Sequence, residues 1–509
     1  MSRIPHIINL LKPVSLFKEV QTLSRRNFIQ QTTQALFVGS TLPLLAQCRA
    51  KSSQTTPRIA VIGAGLAGLT SAYYLEKVGV IPEIYEASDR VGGRVMSASG
   101  LVADGITTEL GGEFIDSTHR DILTFCNEFK LTKLDMKGPS EKNLIGIDYF
   151  FKGRRISEQE IIREFQHYAP RMQKDVKALP KSMSAKDPKV IELDNKSIDE
   201  YLHGIGMSGW LYDILTTSFT SELGIPSGEQ SSLNLLVSLN TDTSKGFEIY
   251  GDSDERFKVS GGNQKIPSEI RKRLKSDIKT GHHIKRISPN GDGYKLSFEN
   301  GQESSVDAVI ITLPFSVLRD VEITVDLPDR KRRCIKQLGY GMQSKLFIGV
   351  NDRLWRGQGY TGYVLSDQIH NGWDSSQMQH NNTGPGGYSL FLGADKGENL
   401  EIGQYDKYLE ECNKVFPGMK QAANGRKNLY NWNQNPLTRG AYACYKVGQA
   451  SGIGQAEAQP VGNLFFAGEH CSENFQGFMN GAAETGRKAA EEIIKKFALH
   501  TGIQQVTKN

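Results

Sequence analysis

Apolar positions along this chain follow two periods, and the switches between them mark out its parts. Arg58-Ile-Ala-Val-Ile62 is a short β-branched run that predicts a buried strand, and Val309-Ile-Ile-Thr-Leu313, ended by Pro314, predicts another. After the first run, Leu69, Ala72, Tyr73, Leu75 and Lys77 recur at helical spacing, Gly79 supplies a stop, and Glu83-Ile-Tyr-Glu86 closes a second strand. From about residue 120 to 250 this βαβ rhythm gives way to helical patterns, such as 161–172 and 198–202, separated by a Lys-, Ser- and Pro-rich connection at 179–189. Asn290-Gly291 and Asn300-Gly301 then punctuate alternating runs and predict a three-strand meander. The expected class is α/β, with a discontinuous Rossmann-like domain interrupted by an inserted α+β domain.

The turn between the first strand and helix is Gly63-Ala64-Gly65-Leu-Ala-Gly68. Gly63 permits the tight turn, Gly65 lets backbone approach a pyrophosphate at the helix N-terminus, and Gly68 lets helix and strand pack closely. Glu86 ends the second strand, where an acid can accept hydrogen bonds from ribose hydroxyls. Strand, glycines, helix and acid in this order point to a dinucleotide, with Gly63, Ala64, Gly65, Gly68 and Glu86 as its ligands.

Composition changes this picture little. A formal net charge of +5 over 509 residues is mild, and the basic clusters at 271–273 and 330–333 read as solvated helix faces, so no nucleic-acid partner is expected. No apolar run reaches the ~18 residues of a membrane span. The six cysteines are scattered without metal-site spacing, so no metal is expected. Ser24-Arg25-Arg26-Asn27-Phe28-Ile29, followed by an apolar stretch from Ala35 to Ala46, resembles a twin-arginine export signal. It implies passage through that export machinery to the periplasm or another extracytoplasmic compartment. A lipid anchor on Cys48 is not favoured, because Gln47 stands where such a site has a small residue.

Beyond Glu86, Arg90-Val-Gly92-Gly93-Arg94, Leu110-Gly111-Gly112-Glu113, Gly339-Tyr-Gly-Met-Gln-Ser-Lys345, Trp432 to Tyr442, Gly468-Glu469-His470 and Gly477-Phe478-Met479 occur in succession. Together they resemble the flavin-containing amine oxidase superfamily of monoamine, polyamine and L-amino-acid oxidases. The resemblance implies FAD as cofactor, with Arg94, Gly111, Gly112, Gly468, Glu469, Gly477 and Met479 beside it. It implies that Lys345 holds a water against the flavin and that Tyr442 and Phe478 clamp an amine between aromatic faces. Ala441 stands where the monoamine oxidases carry their flavin-linked cysteine, so the FAD is expected to be non-covalent. Glu113 and Asp116 become candidate carboxylates for a cationic substrate.

The implied chemistry is oxidative deamination by hydride transfer to flavin N5, with the imine hydrolysed to carbonyl and ammonia and the flavin reoxidised by O2 or a quinone. A basic L-amino acid or a polyamine is the favoured substrate. The alternatives are a desaturase or protoporphyrinogen-type oxidase of a large apolar substrate, and a flavin-binding protein without catalysis. The expected division is an export signal (1–50), an FAD-binding domain (51–118, 252–318 and 440–498), a substrate domain (119–251 and 319–439) and a tail (499–509). A homodimer is compatible with this plan.

Overall fold

The computed structural model describes residues 56–180 and 186–499; the export motif and Cys48 lie outside this range. β1 (Ile59–Ile62) leads into α1 (Leu66–Lys77) and β2 (Glu83–Tyr85). Three strands from far along the chain, β3 (Ile278–Lys279), β4 (Ala308–Ile311) and β5 (Leu464–Phe466), complete a five-stranded parallel sheet in the order β5-β4-β1-β2-β3. Val61 lies opposite Ile310 on one side and Ile84 on the other. Every residue of β1 and β4 is buried, as expected of parallel strands covered on both faces.

One face is covered by α1 and by α2 (Met479–Lys496), the last helix, with Leu69, Ala72, Ala483 and Ala490 in the shared core. The two helices meet so tightly that a Cβ at Gly486 would lie 2.3 Å from the Ala67 carbonyl oxygen. Ser71 Oγ donates across the same contact to the Gly486 carbonyl (3.0 Å). The opposite face carries the meander Ile284–Asn290, Gly293–Phe298 and Glu303–Val306 at the positions the Asn-Gly turns predict.

The second unit is a seven-stranded sheet in the order 423–431, 344–350, 386–392, 370–374, 360–366, 145–151, 154–156. Helices between residues 158 and 238 bury a core against it, with Phe165, Leu211, Phe219 and Leu236 inside.

Two expectations change. The helix expected over 161–172 is two helices, Glu158–Phe165 and Ala169–Ala178, because Pro170 lacks an N–H and clashes with the preceding turn, so it starts a new helix. The FAD-side unit also extends beyond residue 118. Helix Arg120–Glu128 buries Ile122, Phe125 and Cys126 in the α1/α2 core, and Lys133–Asp135 pairs with Phe257–Val259. Likewise, helix Asp329–Gln337 buries Cys334 and Ile335 under the meander, so the segment after 318 belongs with the same unit. The partners of these apolar faces are remote in sequence, which a local pattern does not reveal.

Candidate active site

A cavity of about 780 Å³ begins at the carboxyl ends of β1 and β2, where an open parallel sheet places its ligand. It runs from Gly63, Gly65, Glu86 and Ser88, past Arg94, Gly111 and Gly112, to Lys345, Tyr442 and Phe478. At Gly68 an added Cβ would sit 1.9 Å from the Gly63 carbonyl oxygen, so only glycine lets α1 start this close to β1. The first turn of α1 has no side-chain cap, which leaves its N–H groups available to an anion.

Glu86 Oε2 accepts from the Ala64 N–H (2.7 Å), and Oε1 accepts from the Ser88 N–H and Oγ (2.9 and 2.7 Å). Of the roughly four acceptor sites of a carboxylate, one remains for a ribose hydroxyl. Glu469 ties together the far wall. Its Oε1 pairs with Arg94 Nη1 (2.8 Å) and its Oε2 accepts from the Gly477 N–H (2.8 Å), just before α2. Arg94 also donates to the Ala441 carbonyl (2.7 Å). Gly468, Gly477 and Met479 line the same wall, and α2 also begins without a side-chain cap.

His470 on this wall is 1% exposed, yet neither ring nitrogen has a hydrogen-bond partner among the described residues. Burial, reinforced by Arg94 and Lys331, holds it well below the usual histidine value, so it is neutral. A neutral imidazole with a free donor and a free acceptor, together with two uncapped helix starts and a single acidic acceptor site, fits a phosphate- and ribose-bearing ligand of dinucleotide size.

At the other end, Lys345 rises from the strand Ser344–Val350. Its ammonium donates to the carbonyls of Glu109 (3.1 Å) and Gly111 (3.0 Å) and to Glu113 Oε2 (2.7 Å). All three N–H groups therefore have protein acceptors, and a water at this point would replace one of them. Glu113 Oε1 in turn accepts from Lys258 Nζ and Trp373 Nε1, both at 2.9 Å. Glu113, a candidate for meeting a cationic substrate, lines the cavity with its carboxylate already paired to two buried ammoniums.

Asp116 also has an internal role. Its Oδ1 accepts from the Glu255 N–H (2.9 Å), and its Oδ2 lies 3.3 Å from His119 Nε2. Burial raises Asp116 to about 6 and lowers His119 to about 4. His119 packs edge-on against Phe478, centroids 5.1 Å apart, and so holds one of the two aromatic walls. Tyr442, the other, donates through its hydroxyl to the Glu222 carbonyl.

Sequence reasoning missed two further acids on the cavity wall. Glu222 ends helix Gly209–Leu223, and Glu255 precedes strand Phe257–Val259. Neither carboxyl has an ion-pair partner among the described residues. Both face the cavity while its walls shield them from bulk water, and burial raises Glu222 to about 7 and Glu255 well above the ordinary carboxyl value. Asp116 raises both, and Glu222 raises Glu255 further. Glu255 adopts φ +45°, a left-handed conformation uncommon for glutamate, and the Asp116 carboxylate holds its backbone there. Local patterning carries no signal for that turn. Lys258 was equally invisible, a lysine in a short strand with nothing to mark it as buried.

Comparison with known proteins agrees with this geometry. Residues 66–494 match the family model for flavin containing amine oxidoreductase. The chain is 24% identical over 457 residues to the flavin-containing amine oxidase of Oncorhynchus mykiss, covering 87% of each. It is 24% identical to an L-amino acid dehydrogenase of Synechocystis, over 85% of this chain and 94% of that one. The fold superposes on cyclohexylamine oxidase from Brevibacterium oxydans with a TM-score of 0.77 at 20% identity, over 87% of this chain and all of the other. FAD is the cofactor, and flavin-dependent amine oxidoreduction is the activity. The chain belongs to the flavin-containing amine oxidoreductases.

Proposed function

We propose that this enzyme deaminates a primary amine carrying a second cationic group, a diamine or polyamine, and does so outside the cytoplasm after export. The observation that carries the substrate class is the pair of unpaired carboxyls, Glu222 and Glu255, on the cavity wall. A distal ammonium seated between them would supply the missing counter-charge and pull both carboxyls into their ionised form.

An amino-acid substrate would instead need a free cation for its carboxylate. Among the cavity's cations, Arg94 is bound to Glu469, Lys345 to Glu113 and Arg439 to Asp320, while Arg90 donates to the Val91 and Gly93 carbonyls beside the glycine turn and Lys285 belongs to the meander strand Ile284–Asn290. Arg256, a candidate by position, is held by Asp135 at 3.0 and 2.8 Å, and Arg120 is exposed outside the cavity wall. A large apolar substrate would meet two uncompensated acids.

Bound FAD supplies the two-electron acceptor, which O2 or a quinone regenerates. The chain's own contribution is to orient the amine between Tyr442 and Phe478, to keep bulk water away and to hold the distal cation. The twin-arginine segment at 24–29 supports export of the folded, cofactor-loaded protein.

Anaerobic mixing tests the substrate class. A diamine, a monoamine of equal length and a basic L-amino acid are each added to the holoenzyme while flavin absorbance is followed. Bleaching is expected fastest with the diamine. Equal or faster bleaching by the monoamine, or bleaching by the amino acid alone, overturns the proposal.

A further inference from the structure

Behind the Leu110-Gly111-Gly112 turn, two ammoniums share one carboxylate. Glu113 (6% exposed) takes Lys345 (4%) on Oε2 and Lys258 (4%) on Oε1, from two different units of the fold. Lys345 faces the cavity, whereas Lys258 lies behind it over the Phe114 ring, 5.2 Å from its centroid. We infer that Glu113, anchored by Lys258 and Trp373, is the positioning residue for Lys345. It fixes the ammonium at the reacting end of the cavity. This rests on the reading that Lys345 acts at that end.

Two features carry the inference beyond simple core packing. The first is geometry. A lysine side chain has four rotatable bonds and a point charge, so its ammonium is localised only where acceptors converge on it. Here two turn carbonyls and one carboxylate oxygen converge, and only the carboxylate can be removed by substitution. The carboxylate is itself held on its second oxygen by Lys258 and by the Trp373 N–H.

The second feature is charge. A single Glu113–Lys345 pair would already be balanced, and the additional buried ammonium leaves the triad with a net positive charge. Burial pushes the Glu113 carboxyl up, but Lys258 and Lys345 outweigh it and hold it below the ordinary value. The other charged groups nearby are Glu109, raised to about 7 by burial, Asp374, which faces Lys258 and Arg353, and Glu255 across the cavity. Without Glu113, two like charges would confront each other in a dry pocket, and one lysine would lose its proton.

Glu113→Gln tests this, with Lys345→Met beside it. In Glu113→Gln, kcat is expected to fall roughly 100-fold at a KM within about twofold of the parent, as for a misplaced group at a reacting centre. A limb absent from the parent is expected in the pH profile, with the rate falling as pH rises. Adding Lys258→Met removes the competing charge, so the new limb should disappear while kcat stays low. Melting of the flavin-free protein gives a readout without activity: the single variant melts lower, and the double variant regains part of the loss.

If Glu113→Gln keeps the parent kcat and pH profile and only melts lower, the carboxylate is structural and the inference is overturned. If Lys345→Met also keeps the parent kcat, the reading of Lys345 at the reacting end has failed instead. Should Glu113→Gln not fold, Lys258→Met leaves a balanced pair. Its kcat is then expected to fall several-fold at constant KM, and an unchanged kcat overturns the inference.

Discussion

Glu222→Gln separates what the cavity acids do for the substrate from what they do to the fold. Burial raises this carboxyl from 4.5 to about 7, so the folded protein holds the proton more tightly than the unfolded chain does. For an acid shifted upwards, the stability penalty is absent at low pH, grows as pH rises above about 4.5, and is complete beyond about 7. At 1.36 kcal/mol per unit the full penalty is about 3 kcal/mol, an upper bound for a group in contact with the cavity. With roughly 2.1 cal/mol/K of unfolding entropy per residue, that is about 3 °C in Tm for a chain of this size.

Glutamine removes the penalty, so the variant is expected to melt about 1 to 3 °C above the parent at about pH 8 and level with it at about pH 4. Its activity should move the other way. Loss of an anion that meets a desolvated ammonium costs about 2–5 kcal/mol, so kcat/KM for a diamine is expected to fall by roughly 100-fold. A matched monoamine should lose less than about threefold. Taking the ratio of the two substrates cancels the ionisation of the reacting amine, and in the parent this ratio is expected to rise with pH towards about 7. Flavin fluorescence during thermal ramps at the two pH values, with initial rates on both amines, provides the measurement. An equal Tm shift at both pH values, or equal losses for both substrates, refutes the reasoning.

Gly68→Ala would drive a Cβ to 1.9 Å from a backbone oxygen that has no side-chain freedom to yield, so this variant is expected to bind FAD roughly 10- to 100-fold more weakly by flavin titration. Glu469→Gln removes the partner of Arg94 and weakens an anchor of the Gly477 turn, and its FAD is expected to dissociate at a Tm several degrees lower, equivalent to about 3 kcal/mol. Acid precipitation is expected to leave the yellow colour in the supernatant. Ala441 offers no thiol, and burial pushes the Cys444 thiol up to about 12, which keeps it from acting as a nucleophile.

The nucleotide end of the site was legible in the sequence because its determinants are local. Gly63, Gly65, Gly68 and Glu86 belong to one strand-turn-helix-strand unit, and the structure places all four on or beside the cavity. The reacting end was legible only residue by residue. Glu113 and Lys345 each stand in a recognisable segment, but they pair across 232 positions, and that contact turns a candidate substrate acid into an internal counter-ion. Nothing in the local sequence marks Glu222 and Glu255, because what turns them inward is a helix end in one case and a left-handed backbone in the other. The packing partner of helix Arg120–Glu128 was hidden for the same reason: its amphipathic face says that it packs, not on what.

The tight crossing of α1 and α2 joins residues more than four hundred positions apart, through the contact of Ser71 with Gly486. During synthesis the glycine turn is made more than four hundred residues before the helix that backs it. A flavin site closed by this crossing is expected to form only once residue 486 has been made, and removal of α2 is expected to abolish cofactor binding while Lys345, Tyr442 and Phe478 remain in the chain.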